Sequence, residues 1–283
     1  MSIYFTKKRT LKQLLRIVIR KVRLALTYIP FRLTAYKRTF PDFIIIGVLK
    51  AGTTSLFKYL DHHPDVEMSR VKEVNYFSYH YFRSNFFYKS FFPYKSQNML
   101  SGEASPYYFI HPWVPERIKK DFPHTKLILL LRDPVLRAYS HYNQIRKIEP
   151  ADSFDEVIRL ESDRLKAIDK KLTRSPYSSS LKHQTFSYIN TGFYYKHLSN
   201  WLKHYRKEEL LILKSEDFFN NPKDELKKVY QFLELKEIYP KDLSPKNQRL
   251  YDGLSKGEYR IYKKLFSEDG QKLKELLGDH FSW

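Results

Sequence analysis

Cysteine is absent from this chain of 283 residues, which excludes disulfides, thiolate nucleophiles and cysteine-held metal sites. Its absence fits a reducing compartment. The first forty residues contain no Asp or Glu. Long apolar runs are missing as well. The longest uncharged stretch of that acid-free head, Leu24 to Phe31, falls far short of the roughly 20 apolar residues a membrane span needs. Nor is there an apolar signal-peptide core ending in a small-residue cleavage site. The sequence shows no internal repeat and no extended low-complexity tract.

What is present starts with charge. The chain carries +20 at pH 7, and eleven Lys or Arg fall within residues 1–40. Among them run Leu11, Leu14, Leu15, Ile17, Val18, Val22, Leu24 and Leu26, the pattern of a basic helix with an apolar side. Such helices lie in anionic membrane interfaces, so residues 1–40 read as an arm making peripheral contact with a membrane. A solvated extension is the plainer alternative. Charge alone is weak support for nucleic-acid binding, and no nucleic-acid partner is expected. The 283 residues, 42% of them hydrophobic, suit one sizeable core or at most two small ones, and the globular domain reads as Pro41 to Trp283.

Within 41–283, apolar runs alternate with helical stretches. Phe43–Gly47, Lys126–Leu131 and Leu210–Leu213 read as strands, with Val66–Met68 and Met99–Ser101 as weaker candidates. This order predicts an α/β fold with a parallel sheet, whose ligands bind beyond the carboxyl ends of the strands. Asp133-Pro134 and Asn221-Pro222 signal helix starts. Residues 147–187, polar and charged, read as a helical excursion with a loop over 173–180.

Two stretches carry chemistry. The first is Gly47-Val48-Leu49-Lys50-Ala51-Gly52-Thr53-Thr54-Ser55, directly after an apolar strand. A Gly-containing turn that opens a helix cradles anionic groups on backbone N–H donors. The spacing is nearly that of the nucleotide-triphosphate loop G-x-x-x-x-G-K-[ST]. Thr53 occupies the lysine slot, however, and the cation sits earlier, at Lys50. The second stretch, Arg132-Asp133-Pro134-Val135-Leu136-Arg137-Ala138-Tyr139-Ser140, places an arginine at a strand end and a serine on the next helix. Arginine's planar donor fork suits phosphate. Taken alone, each also reads as an ordinary structural turn or ion pair.

Together the two stretches resemble the signatures of the PAPS-dependent sulfotransferases, PAPS being 3′-phosphoadenosine-5′-phosphosulfate. The pattern is particularly similar to the heparan sulfate 3-O- and N-sulfotransferases and their bacterial carbohydrate-sulfating relatives. His63-Pro64-Asp65-Val66, Lys72-Glu73-Val74-Asn75-Tyr76-Phe77, Pro115-Glu116-Arg117-Ile118 and Phe281-Ser282-Trp283 extend the likeness. The resemblance implies a P-loop NTPase-like three-layer α/β fold with a central parallel sheet of about five strands. It implies PAPS as sulfuryl donor with no metal required, the 5′-phosphosulfate lying on Lys50, Ala51, Gly52, Thr53, Thr54 and Ser55, and the 3′-phosphate on Arg132 and Ser140. Lys50 would also act catalytically, by neutralising the oxygen that leaves sulfur. Glu73 would be the base for in-line attack by a hydroxyl or amine of a carbohydrate, glycolipid or small metabolite.

Asn75, Glu103 and Tyr107 are expected on the acceptor side, Glu103 and His111 as further candidate bases. Asn75 stands where the 3-O-sulfotransferases carry histidine, and Ala104 replaces a family lysine. The C-terminal cofactor-closing loop of the glycosaminoglycan enzymes is a poor match at Lys256-Gly257, with Arg249 a speculative substitute. An ATP-dependent small-molecule kinase on the same fold and a non-catalytic membrane or polyanion binder are the rival readings. The kinase lacks support from Thr53 and from the want of a clear acidic magnesium ligand after a strand. The missing anchor points to the bacterial cytoplasm, peripheral on the inner face of the membrane.

Overall fold

The computed structural model describes residues 31, 33–96, 98–146, 153–246 and 252–283. The expected arm over 1–30, Arg249 and the start of the polar excursion lie outside the described residues. Five parallel strands form one sheet in the order β2-β3-β1-β4-β5. They are β1 Phe43–Gly47, β2 Val66–Met68, β3 Leu100–Ala104, β4 Lys126–Leu131 and β5 Leu210–Lys214. The expected strands all form, and the weakest of them starts one residue later and runs to Ala104.

Burial explains the order. Every residue of β1 is buried, as are Leu127–Leu131 of β4, and these near-continuous apolar runs sit at the centre. β2 is three residues long and alternates buried, exposed, buried, as an edge strand does. Phe43 of β1 fills the space beside Gly102 of β3, where a Cβ would stand 2.2 Å from the ring. Any side chain at 102 would therefore push β1 and β3 apart.

Helices cover the sheet. α1 (Thr53–Leu60) packs against β1, β2 and β3. The short α2 (Asn85–Lys89) and α3 (Val114–Asp121) flank a five-residue π-helical turn, Tyr76–His80. α4 (Pro134–Ile145) begins where sequence placed it, with the Asp133 carboxylate accepting from Leu136 N–H at 2.8 Å. α5 (Phe154–Arg174) and α6 (Leu181–Phe186) make up the described part of the excursion. Val135, Ala138 and Tyr142 of α4 pack with Phe154, Val157, Tyr262 and Phe266 in a second, smaller core. That core fixes one side of α4 and leaves Ser140 and Gln144 for the cleft below.

Residues 33–40 pack onto the domain. Ala35 and Arg38 are buried. Arg38 donates to the Phe92 carbonyl at 2.7 Å, Thr39 N–H to the Pro93 carbonyl at 3.1 Å, and Lys95 N–H to the Lys37 carbonyl at 2.9 Å. The end of the basic head is thus a structural part of the domain that sequence analysis begins at Pro41.

Candidate anion-binding cleft

One cleft of about 420 Å³ gathers Lys50, Gly52, Thr53, Thr54, Lys72, Glu73, Arg132, Ser140, Gln144, Glu216 and Lys246. Its floor is the loop between β1 and α1. Gly52 caps α1 at φ 98°, and a Cβ there would meet the Phe219 ring at 2.8 Å. Glycine alone suits both the left-handed backbone and the close ring. The first N–H groups of a helix have no acceptor within it, and the helix dipole adds positive potential. At α1 these groups belong to Thr53, Thr54 and Ser55.

Lys50 also holds a left-handed backbone, at φ 74°. Its ammonium donates to Gln144 Oε1 at 3.0 Å, across to α4. Its carbonyl accepts from Arg132 Nη1 at 3.0 Å, so the arginine after β4 is tied to the loop after β1. Tyr194 OH donates to the Arg132 carbonyl at 2.7 Å, and Glu216 accepts from Asp133 N–H at 2.9 Å. These bonds hold the second motif's backbone while part of the Arg132 fork faces the cleft. Arg137, in the same motif, points elsewhere: it is fully buried and donates to the Tyr188 carbonyl.

Glu73 approaches from the loop after β2. It sits at φ 66°, and Asn75 at φ 53°. Non-glycine residues in this region cost of order 1–3 kcal/mol and cluster at functional sites. The loop is over-determined by its bonds. Glu73 N–H donates to the Ala104 carbonyl at 2.8 Å, and Asn75 N–H to Ser105 Oγ at 3.0 Å. The Glu73 carboxylate is one-third exposed and lies 3.3 Å from the Lys72 ammonium.

Five expected site residues, Ala51, Ser55, Asn75, Glu103 and Tyr107, fall outside the cleft lining. Ala51 and Ser55 are completely buried, and Ser55 Oγ accepts from Lys246 N–H at 2.9 Å. Ser55 therefore pins the far wall, which leaves its backbone N–H as the group for an anion. Tyr107 is buried with its hydroxyl 2.9 Å from His183 Nδ1. Glu103 departs furthest from an acceptor-facing base. It has no exposed surface and accepts from Tyr88 at 2.7 Å, Ser105 at 3.0 Å and Tyr108 at 3.2 Å. Asn75 is half-buried beside this network, and His111 is buried, its pKa pushed down to about 3 by loss of water.

Burial pushes the Glu103 carboxyl up to about 7, against three hydroxyl donors that pull it down. A raised folded pKa means the native state holds this proton more tightly than the unfolded chain. Stability from this group is therefore full below about 4.5 and is lost as pH rises towards 7. Glu103→Gln should flatten that slope by up to ~3 kcal/mol, read from denaturant unfolding at pH 5 and pH 8. Equal slopes in both proteins would mean that Glu103 is ionised throughout. Glu161, similarly raised to about 7, contributes equally to both and cancels.

Sequence reasoning missed Gln144, Glu216, Phe219 and Lys246. Gln144 had a signal, since it lies one helical turn beyond Ser140 on the same face. The others come from distant segments and had none.

Two loops after neighbouring parallel strands β1 and β4 meet at the carboxyl edge of the sheet, the arrangement of a P-loop-like α/β domain. The chain belongs to the sulfotransferase domain family, whose pattern covers residues 40–270. It is 34% identical over 204 residues to heparan sulfate glucosamine 3-O-sulfotransferase 3B1 of Mus musculus, covering 72% of this chain and 48% of that protein. The chain therefore spans about half the length of that relative. It is 26% identical over 312 residues to membrane-associated sulfotransferase kil1 of Dictyostelium discoideum, covering 86% of this chain and 66% of that protein. The crystal structure of a sulfotransferase from Alicyclobacillus acidocaldarius shares the fold, with TM-score 0.69 at 24% identity, over 84% of this chain and 96% of that one. Among the described residues, no helix is long and apolar enough to cross a membrane.

Proposed function

We propose that this protein transfers a sulfuryl group from PAPS to a hydroxyl or amine of a carbohydrate-like acceptor. The observation that supports this reading is the convergence of Lys50, the α1 N-terminus, Arg132 and Ser140 on one cleft with Glu73 in its wall. The donor set fits the group: Lys50, Lys72, Arg132 and Lys246, with a helix N-terminus, suit a ligand bearing two separated phosphate groups. PAPS supplies an activated sulfuryl group whose bond to phosphate oxygen breaks as the acceptor's bond to sulfur forms.

The chain's own residues do the rest. Gly52, Thr53 and Thr54 present N–H donors to the 5′ side, and Lys50 places its ammonium where negative charge grows on the departing phosphate. Arg132 and Ser140 hold the 3′-phosphate. Glu73 takes the acceptor's proton as its oxygen or nitrogen attacks. The heparan sulfate relatives support a sugar acceptor. In this reading the basic head over 1–40 supplies peripheral contact with an anionic membrane from its cytoplasmic face.

Calorimetric titration with 3′-phosphoadenosine-5′-phosphate tests the donor site. Arg132→Ala should weaken binding by ~1.5–3 kcal/mol, the value of one charge-assisted set of hydrogen bonds. Unchanged affinity would remove Arg132 from the site. Tighter binding of ATP than of the bisphosphate would favour the kinase reading instead.

A further inference from the structure

Five of the eleven large hydrophobic side chains left exposed among the described residues are Leu33, Tyr36, Phe82, Phe86 and Tyr94. They come from two segments that pack on each other. The 3-10 turn Ala35–Lys37 packs against α2, and Arg38 pairs with Tyr94 in an antiparallel bridge. Phe82, in the turn before α2, and Phe86, in the first turn of α2, are 73% and 58% exposed.

The charge around these rings has one sign. Residues 31–40 and 74–102 contain no Asp or Glu. The exposed Arg83 lies over the Phe82 and Phe87 rings, the exposed Arg70 over Phe31 at 3.3 Å and the exposed Lys37 over Tyr36, while the half-buried Lys89 lies over Phe40 at 4.6 Å and Arg38, itself buried, backs Tyr94 at 4.3 Å. An acid does stand near Tyr76 and Tyr81, namely Asp121 at the end of α3. Those tyrosines are buried or half-buried, whereas the exposed rings Tyr36 and Phe82 lie beside the exposed cations Lys37 and Arg83.

We propose that this aromatic and basic face of the folded domain is a docking surface for an anionic phospholipid bilayer. Rings of this kind settle at headgroup depth, and Lys or Arg beside them meet lipid phosphates. In the sequence the acid-free basic head immediately precedes Phe31, which lies against Arg70 at this face. The head supplies charge; the face supplies apolar insertion and fixes the orientation of the domain. A protein partner of ordinary composition would leave this many exposed cations without carboxylates to meet them.

The test uses the full chain and vesicles of phosphatidylglycerol in phosphatidylcholine. Phe82→Ser combined with Phe86→Ser should lower the vesicle partition coefficient about tenfold or more, since burial of each phenylalanine is lost. Bisphosphate affinity should not change, which shows that the domain still folds. In a second protein, Phe86→Trp should shift its emission to the blue on vesicles and be quenched by lipids brominated in the chain. Undiminished partitioning of the double variant, with no quenching at residue 86, overturns the proposal and leaves attachment to the head alone. It is equally overturned if the double variant loses only self-association, for then the face belongs to a second copy of the chain.

Discussion

Glu73→Gln should lower turnover by ~10²–10⁴ while leaving bisphosphate affinity at the wild-type value. Glutamine keeps the size and hydrogen-bonding shape but cannot take a proton. Its backbone need not move, because the φ of 66° is held by the bonds to Ala104 and Ser105 rather than by the carboxylate. The loss should therefore fall on the chemical step. Glu103→Gln is the comparison. That carboxylate is sealed behind Tyr88, Ser105 and Tyr108, so its removal should alter stability and loop position more than proton transfer. Near-normal turnover in Glu73→Gln, with a crippled Glu103→Gln, would move the base to position 103.

Lys50→Ala should reduce turnover by at least ~10², the scale set by removing a single preorganised charge stabiliser. Alanine and lysine meet the same penalty at φ 74°, and the Lys50 carbonyl that holds Arg132 is untouched. Chain folding should accordingly survive, as an unchanged denaturant midpoint would show. Product formation from labelled donor is the direct readout. Turnover within a few-fold of wild type would mean that the cation leaving the usual lysine slot had no role in the transfer, and the reading of that loop would fail.

The sheet was legible because its central strands are continuous apolar runs, and β1 and β4 are buried throughout. The loop after β1 and the start of α4 were legible because glycine, proline and aspartate there answer local backbone needs. The burial of Glu103 was not legible, for the opposite reason. Nothing in Gly102-Glu103-Ala104 reports that three hydroxyl groups from elsewhere in the chain will enclose the carboxylate. Lys246 escaped notice because its place depends on a hydrogen bond to Ser55, a contact invisible to any local pattern. Residues 33–40 read as an arm since they are basic and acid-free, yet Arg38 is buried through carbonyl and aromatic contacts.

The bond between Ser55 and Lys246 also bears on the order of synthesis. It joins residues 191 positions apart. All five strands are complete once Lys214 has been made. A nascent chain at that length holds the whole sheet and the loop at Lys50, but not the wall contributed by Glu216, Phe219, Pro245 and Lys246. Contacts so distant in sequence form late, after the local ones. The far wall of the candidate cleft is therefore supplied by residues made after the last strand, and it cannot be present before Lys246 has been synthesised.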